Sequence, residues 1–272
     1  MQLDRTRIAI HPRGWLEILD LALMVLRSHA LPLIVALALG ALPMALFNAW
    51  LLRSLTTDFK LEESPQEYVL FLAAFTLVEA PLATAAVTLY LGKSLFVQKP
   101  RASVLFQEFL AALLQLILLQ VILRGIMALF WITLLFPYMS WPYLNEIILL
   151  EQNRLRARPK SGSLSTWQRS SALHGSMGGE LLMRALGSLA ISVALITAIW
   201  VAGWVLMGML FVRWQFDRPI YLIGLPLAMW TVGGFFAIVR FLSYLDLRIR
   251  REGWEVDLCL RAERARMERQ IA

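Results

Sequence analysis

Acidic and amide side chains inside otherwise apolar stretches are the residues of this chain best suited to chemistry. Glu79 lies in the middle of such a stretch, directly before Ala80-Pro81. A proline removes a backbone hydrogen bond and kinks a helix, so a carboxyl beside it is suited to binding an ion or a proton. The same carboxyl is suited to a structural hydrogen bond with a neighbouring helix. We favour the structural interpretation, because the chain shows no internal repeat of the kind that many transporters have.

Asn145 and Glu146 form a second candidate polar site within an apolar stretch. Pro137 and Pro142 precede them, so residues 136–143 are not expected to form one straight helix. Ionisable residues inside membrane spans are costly and often functional. Glu79, Asn145 and Glu146 are therefore the candidate intramembrane polar residues.

Motifs typical of enzymes and metal sites do not occur in the sequence. It has no nucleophile elbow, phosphate-binding loop, zinc-protease helix or dinucleotide-binding glycine pattern. The histidines, His11, His29 and His174, are far apart, and the single cysteine, Cys259, fits a small buried apolar residue. We therefore expect no enzymatic activity, no cofactor and no metal.

The composition predicts an integral membrane protein. Hydrophobic residues make up 59% of the 272 residues and charged residues 17%, whereas soluble domains have about 45–50% and about 25%. This composition excludes a disordered chain, and it argues against a nucleic-acid partner despite the net charge of +7. One cysteine excludes a disulfide scaffold. The lipid bilayer is the first partner that we expect.

Six stretches are long and apolar enough to cross a bilayer as helices, which takes about 20 residues. They lie near residues 31–52, 68–91, 104–123, 126–150, 181–212 and 220–242. Only Arg124-Gly125 separates the third stretch from the fourth, which predicts a tight turn there. The sequence therefore predicts an all-α, polytopic membrane bundle of six spans. Small residues four apart permit close helix packing, at Ala41, Ala45 and Ala49 and at Ala198 and Ala202.

The basic residues predict the orientation of these spans. With a cytoplasmic N-terminus, the outer segments hold few of the 26 basic residues, namely Arg53, Lys60, Arg124, Arg213 and Arg218. The others, Arg240 included, fall in inner segments, as the positive-inside rule requires. This bias predicts a bacterial cytoplasmic (inner) membrane protein with both termini in the cytoplasm.

Segments outside the spans carry their own signals. Residues 1–30 include an amphipathic stretch from Trp15 to Ala30, which fits either an interfacial helix or a helix packed under the bundle. The inner loop 151–180 has a basic run, which either binds anionic lipid headgroups or only fixes orientation; we favour the second. Ser165-Thr-Trp-Gln168 has the form of a capping box and predicts a helix over 166–174.

The tail, residues 243–272, carries many charges of both signs. Its residues 254–261 alternate between apolar and polar, which is a strand-like period. We expect this tail to contact other proteins. The candidate interaction residues are Asp246, Arg248, Arg250, Glu252 and Trp254.

The stretch Ser243-Tyr-Leu-Asp-Leu-Arg-Ile-Arg-Arg-Glu-Gly-Trp-Glu-Val-Asp-Leu258 resembles the end of the last span in a group of uncharacterised bacterial membrane proteins. Their pattern there is Tyr-x-Asp-x-Arg-x-Arg-x-Glu-Gly-aromatic-Asp/Glu-Leu. The segment Arg13-Gly-Trp-Leu-Glu-Ile-Leu-Asp-Leu21 is similar to their Trp-Glu-Ala-x-Asp-Leu helix, and Arg169-Ser-Ser-Ala-Leu173 to their Arg-Ser-x-x-Leu helix. The group is similar to the membrane domain attached to some glycerophosphodiester phosphodiesterases. The resemblance implies a fold, a membrane location and association with other envelope proteins, but the catalytic phosphodiesterase domain has no counterpart here.

Two functions from different classes follow. The first is a non-enzymatic scaffold or accessory subunit of a cell-envelope membrane complex. The second is a small transporter or channel-like protein that uses Glu79. A polar cavity reaching Glu79 would favour the transporter, and a dry, packed contact at Glu79 would favour the scaffold.

Overall fold

A computed structural model describes residues 14–56, 64–95, 100–128, 130, 136–152, 165–174, 178–212, 214 and 218–252. In these residues the chain is all-helical, as the apolar stretches predict. Five helices are long and apolar enough to cross a membrane, by length and composition. The chain is therefore a multi-pass helical bundle, whereas the count of six spans is not confirmed.

The helices follow one another along the chain with short turns between several of them. In order they are α1 (Trp15–Ser28), α2 (Ala30–Leu51), α3 (Pro65–Ala83), α4 (Ala85–Ser94), α5 (Ala102–Ala128), α6 (Phe136–Ser140), α7 (Leu144–Leu150), α8 (Thr166–His174), α9 (Gly178–Phe211) and α10 (Leu225–Glu252). Helix α5 contains a π-helical segment, Ile117–Ile122, and another, Ile220–Gly224, leads into α10. Helices α3 and α4 together make one candidate span.

The turn predicted at Arg124-Gly125 is wrong, because α5 runs through both residues to Ala128. Ending the helix at this point would leave its last four carbonyl groups without intrahelical partners, whereas continuing it keeps them bonded. A helical glycine costs only about 1 kcal/mol relative to alanine. In the continuing helix, Arg124 lies on a segment that packs on α3, and its side chain is only 4% exposed. It therefore does not face water or lipid headgroups.

The predicted fourth span, 126–150, is not one helix in the residues described. Its beginning belongs to α5, and its remainder contains the short helices α6 and α7. Pro137 and Pro142 account for this break, as the sequence predicts. Helix α7 packs against α4 and α5 through Leu144 and Ile148. Its last residue, Leu150, touches Gly92 near the end of α4.

One end of the bundle collects most of the described charged residues, and we call it the charged end. Helices α4, α7 and α10 end there, α5 and α9 begin there, and α1 and α8 pack there. Lys93 and Glu108 form a salt bridge of 2.6 Å between α4 and α5 at this level. The opposite, distal end is closed by an apolar cluster that includes Leu52, Tyr68 and Leu225.

Helix α1 combines the two alternatives that the sequence leaves open. Its buried residues Ile18 and Ala22 join the core formed with α10, so the helix packs on the bundle. Leu16, Leu23 and Met24 remain at least half exposed on its other side. The helix is therefore both docked on the bundle and apolar on its outer face.

Helix α8 begins as the sequence predicts. The backbone N–H of Gln168 donates to the Ser165 hydroxyl at 3.3 Å, and the Ser165 backbone N–H donates to Gln168 Oε1 at 3.0 Å. These reciprocal bonds are a capping box, which confirms the predicted helix start.

The beginning of the predicted tail is not separate from the last span. Helix α10 continues through residues 243–252 to Glu252. The strand-like alternation at 254–261 lies outside the described residues.

Candidate functional site

Glu79 lies on α3 and makes a packed contact with α2. Its side chain is only 6% exposed, and Asn48, 1% exposed, donates from Nδ2 to Glu79 Oε2 at 2.9 Å. The structure therefore places this predicted polar residue in a helix–helix hydrogen bond. Asn48 was not singled out in the sequence, although an amide near the end of an apolar span is a signal for such a bond.

The close approach of α2 and α3 depends on small residues beside this contact. A Cβ added to Gly40 would overlap the carbonyl oxygen of Ala83. Ala41 and Ala83 are buried together with Trp230 of α10. Ala41 and Ala45 of the first small-residue stripe are thus packed within the chain, whereas Ala49 is exposed.

Helix α3 ends at Ala83, two residues after Pro81, and α4 begins at Ala85; we call this break the kink. Thr84, between the two helices, donates to the carbonyl of Ala80 from its backbone at 2.9 Å and from its hydroxyl at 2.6 Å. Asn145 Nδ2 of α7 donates to the carbonyl of Pro81 at 3.2 Å. The predicted residue Asn145 therefore bonds to the backbone next to the break between α3 and α4.

Glu146, beside Asn145 on α7, is a fully buried carboxylate that forms an ion pair with a mostly buried arginine. Arg240 of α10 donates from Nε to Glu146 Oε1 at 2.6 Å, and from Nη2 to the Thr84 hydroxyl at 3.3 Å. Glu146 is 0% exposed. The sequence suggests Arg240 only as an inner-face charge, whereas the structure uses it inside the bundle. The signal that could have identified it is its position within the apolar stretch 220–242.

All three predicted intramembrane residues therefore lie around one kink, in two different contacts. Glu79 joins α3 to α2, and Asn145 and Glu146 join α7 to the α3–α4 kink and to α10. Each contact satisfies polar groups between helices of the same chain. As arranged, these contacts are suited to holding helices together.

A first ionic cluster at the charged end joins α9 to α10. Arg184 Nη2 lies 2.6 Å from Glu180 Oε1 and 3.2 Å from Asp246 Oδ2. Arg250 Nη2 lies 3.1 Å from the same Asp246 oxygen. Asp246 is only 5% exposed, so its carboxylate lies between two guanidinium groups of its own chain.

A second ionic cluster joins the end of α7 to α8 and α10. Arg169 donates two hydrogen bonds to the carboxylate of Glu151, from Nε at 2.7 Å and from Nη2 at 2.9 Å. The Tyr244 hydroxyl donates to Glu151 at 2.7 Å, and Arg248 lies over the Tyr244 ring. Partial burial acts to raise the pKa of Glu151, but the bonds from Arg169 and Tyr244 and the charges of Arg169 and Arg248 prevail and hold it below its ordinary value.

The predicted interaction residues of the tail are divided by these clusters. Asp246, Arg248 and Arg250 all contact other parts of the same chain. Glu252 is the last residue of α10, and Trp254 lies outside the described residues. Three of the five predicted interaction residues therefore make contacts within their own chain.

Within the part of the chain that the structure describes, no group of three or more His, Cys, Asp or Glu residues is placed to hold a metal ion. Comparison of the chain with protein-family profiles, with curated proteins and with solved structures finds no match. The contacts described above are therefore the basis for a functional proposal.

Proposed function

We propose that this protein is a non-enzymatic membrane component, a scaffold or accessory subunit that binds another membrane protein through α9. The observation that carries the proposal is the openness of this helix. No residue of its most apolar stretch, which has a mean hydropathy of 2.3, is fully buried by the rest of the chain, although Ile196 and Trp200 on its inner side pack on the apolar cluster of the distal end. The share of fully buried residues is 17% for α2, 22% for α5, 44% for α3–α4 and 50% for α10 with its π-helical start.

The exposed side of α9 has the surface that a partner helix needs. Small residues recur there at every fourth position, and all of them are exposed, at Ala190, Ala194, Ala198 and Ala202. Such a stripe lets two helix backbones approach closely, and helix packing is a main driving force for association in lipid. The first stripe, around Ala41, is already occupied by the chain's own helices. The second stripe is the one left for another polypeptide.

The buried ionic contacts support a structural role. Glu146 pairs with Arg240, Asp246 with Arg184, and each pair joins different helices. A scaffold requires such fixed spacing between helices. In contrast, a group that takes part in acid–base chemistry must reach a substrate.

We place the protein in a bacterial inner membrane with the charged end towards the cytoplasm. The described basic residues at the charged end are Arg27, Lys93, Arg101, Arg169, Arg184, Arg248, Arg250 and Arg251, against Arg53, Arg124 and Arg218 towards the distal end. The positive-inside rule places the end that carries more basic residues on the cytoplasmic side. Anionic headgroups of the inner leaflet are the lipid partners that this end suits. Membership of the bacterial group that the tail pattern resembles is part of the same proposal.

Photo-cross-linking in native membranes tests the partner. A photoreactive amino acid at Ala198 on α9 is compared with one at Leu39 on α2, which is 71% exposed. Both positions face outward from apolar spans. We expect a cross-linked polypeptide from position 198 and only lipid adducts from position 39. Lipid adducts alone at both positions would overturn the proposal.

A paired substitution provides a second, independent measurement. Ala194→Leu with Ala198→Leu fills the stripe without touching the chain's own core, since both residues are exposed. We expect normal insertion and loss of the copurifying partner. Arg250→Ala is unsuited to this purpose, because Arg250 also binds Asp246 and Glu180. An unchanged set of copurifying proteins would contradict the role of α9.

The second candidate is a small transporter or channel-like protein that uses Glu79. It requires a polar cavity that reaches Glu79, whereas the contact described for Glu79 is a buried hydrogen bond with Asn48. A flux assay would support this alternative only if the parent chain showed transport that Glu79→Gln lost.

A further inference from the structure

We propose that Glu79 holds a proton inside the membrane and pairs with Asn48 as a neutral carboxylic acid. This proton-binding site is independent of the partner proposed for α9. It rests on the contacts of Glu79, on the contrast with the other buried acids and on an unpartnered atom of Asn48.

The surroundings of Glu79 lack the counter-charge that the other buried acids have. Glu146 has Arg240 at 2.6 Å, and Glu151 has Arg169 at 2.7 Å. The contact described for Glu79 is a neutral amide. A buried carboxylate without a paired cation is strongly disfavoured, and such groups usually take up a proton.

The hydrogen bonds of Asn48 are complete only if Glu79 carries that proton. Asn48 Nδ2 already donates to Glu79 Oε2, but Asn48 Oδ1 is buried and has no partner within the described part of the chain. Both Oδ1 and an ionised carboxylate are acceptors, so they cannot bond to each other. A proton on Oε1 of Glu79 would donate to Oδ1 and close a ring of two hydrogen bonds between acid and amide. The proton therefore satisfies a buried atom that is otherwise orphaned.

The helices packed against α3 carry two arginines within their apolar stretches, Arg240 and Arg124, and no ion pair between either of them and Glu79 is described. Helix α2 has no ionisable residue between Ala30 and Leu51. On α10, Arg240 is bonded to Glu146. On α5, Arg124 lies between Val121 and Ala128, which pack on the face of α3 that carries Ala74 and Val78.

Infrared spectroscopy of the full chain in lipid tests the proposal directly. At neutral pH we expect the carbonyl band of a protonated carboxyl in the parent, and its loss in Glu79→Gln. Glu67→Gln is the matched control, since it makes the same change at an exposed position of the same helix. We expect the control to keep the band. A parent without any protonated-carboxyl band, or a band that persists in Glu79→Gln, would overturn the proposal.

Two further variants test the hydrogen bonds between Glu79 and Asn48 separately from the protonation of Glu79. Asn48→Ala removes the amide, so we expect the carbonyl band of the protonated carboxyl to remain but to shift in frequency. A band unaffected by Asn48→Ala would contradict the acid–amide ring. Glu79→Gln has the shape of a neutral acid, so we expect an unfolding midpoint close to that of the parent and well above that of Glu79→Leu. A large gain in stability in Glu79→Gln would show instead that the parent buries a charge.

Discussion

At the scale of single residues, the ion pair between Glu146 and Arg240 holds the short helix α7 in place. Helix α7 has only seven residues, too few to be stable alone, and it follows two prolines. Its carboxylate reaches Arg240 on α10, while its neighbour Asn145 bonds to the carbonyl of Pro81. Two adjacent polar side chains thus fix a short helix against two long ones.

We predict that Glu146→Gln destabilises the protein by about 3 kcal/mol. Removing one partner of a buried pair leaves the other charge uncompensated, which costs more than the pair itself contributes. Chemical unfolding of the purified protein in detergent measures the loss. The double variant Glu146→Leu with Arg240→Leu should lose less than Glu146→Gln alone. An equal or greater loss in the double variant would contradict this explanation.

We predict that the stabilising effect of Glu151 disappears in acid. Its pKa is lowered in the folded protein, so its contribution is present above the unfolded-state value of about 4.3 and is lost as the pH falls through the folded-state pKa. At neutral pH, Glu151→Gln should be less stable than the parent by about 2 kcal/mol, the order expected for hydrogen bonds to a charged group. Unfolding curves between neutral pH and pH 3 should converge. A constant difference over that range would be evidence against the ionic contact.

At the scale of whole helices, the packing of α2 on α3 depends on how closely their backbones approach each other at Gly40. Gly40 touches the backbone of Ala83, next to the kink that also organises Thr84 and Asn145. The polar contacts around the kink therefore depend on a position that has no side chain. Helix α9 lacks a comparable contact along its exposed stripe.

We predict that Gly40→Ala destabilises the protein by about 1–3 kcal/mol, as overpacking of a close contact does. The neighbouring atom is a carbonyl oxygen of the backbone, which cannot rotate away as a flexible side chain can. Gly203→Ala on α9 is the matched control, since a Cβ added at Gly203 would meet no atom within 4 Å. Thermal unfolding in detergent compares the two. Equal midpoints would show that α2 and α3 can separate at no cost.

At the scale of the whole molecule, the two ends of the bundle differ in chemistry. Several helices are joined by ion pairs at the charged end, whereas apolar and aromatic contacts join the helices at the distal end. At the distal end, Trp200 donates to the carbonyl of Ile220 at 3.0 Å, where a π-helical segment starts. This polarity of the bundle underlies the proposed orientation.

We predict that the two ends are accessible from opposite sides of the membrane. Ser171 on α8 and Ser54 beside α2 are both exposed and lie at the charged and distal ends. In a Cys259→Ser background, a membrane-impermeant maleimide should label Ser54→Cys in intact spheroplasts and Ser171→Cys only in inverted vesicles. Labelling of both from one side would contradict the orientation.

The sequence alone determined the class of the protein and several of its local features. Apolar stretches of about 20 residues require helices in lipid, because only intrachain bonds can satisfy the backbone there. The cap at Ser165 and the break at Pro137 and Pro142 were also predictable, because both depend on neighbouring residues. Glu79, Asn145 and Glu146 stood out because polar groups are rare in such stretches.

Only the tertiary structure decided what these residues contact. Glu146 is 94 positions from Arg240, and Asp246 is 62 positions from Arg184, so no local pattern pairs them. The path of α5 through Arg124-Gly125 likewise depends on α3, which buries the arginine that a turn would have exposed. Local rules choose between helix and turn, but the burial of a charge depends on which helices come together in space. Long-range packing therefore turned three candidate functional residues into contacts between helices, and left α9 as the open surface.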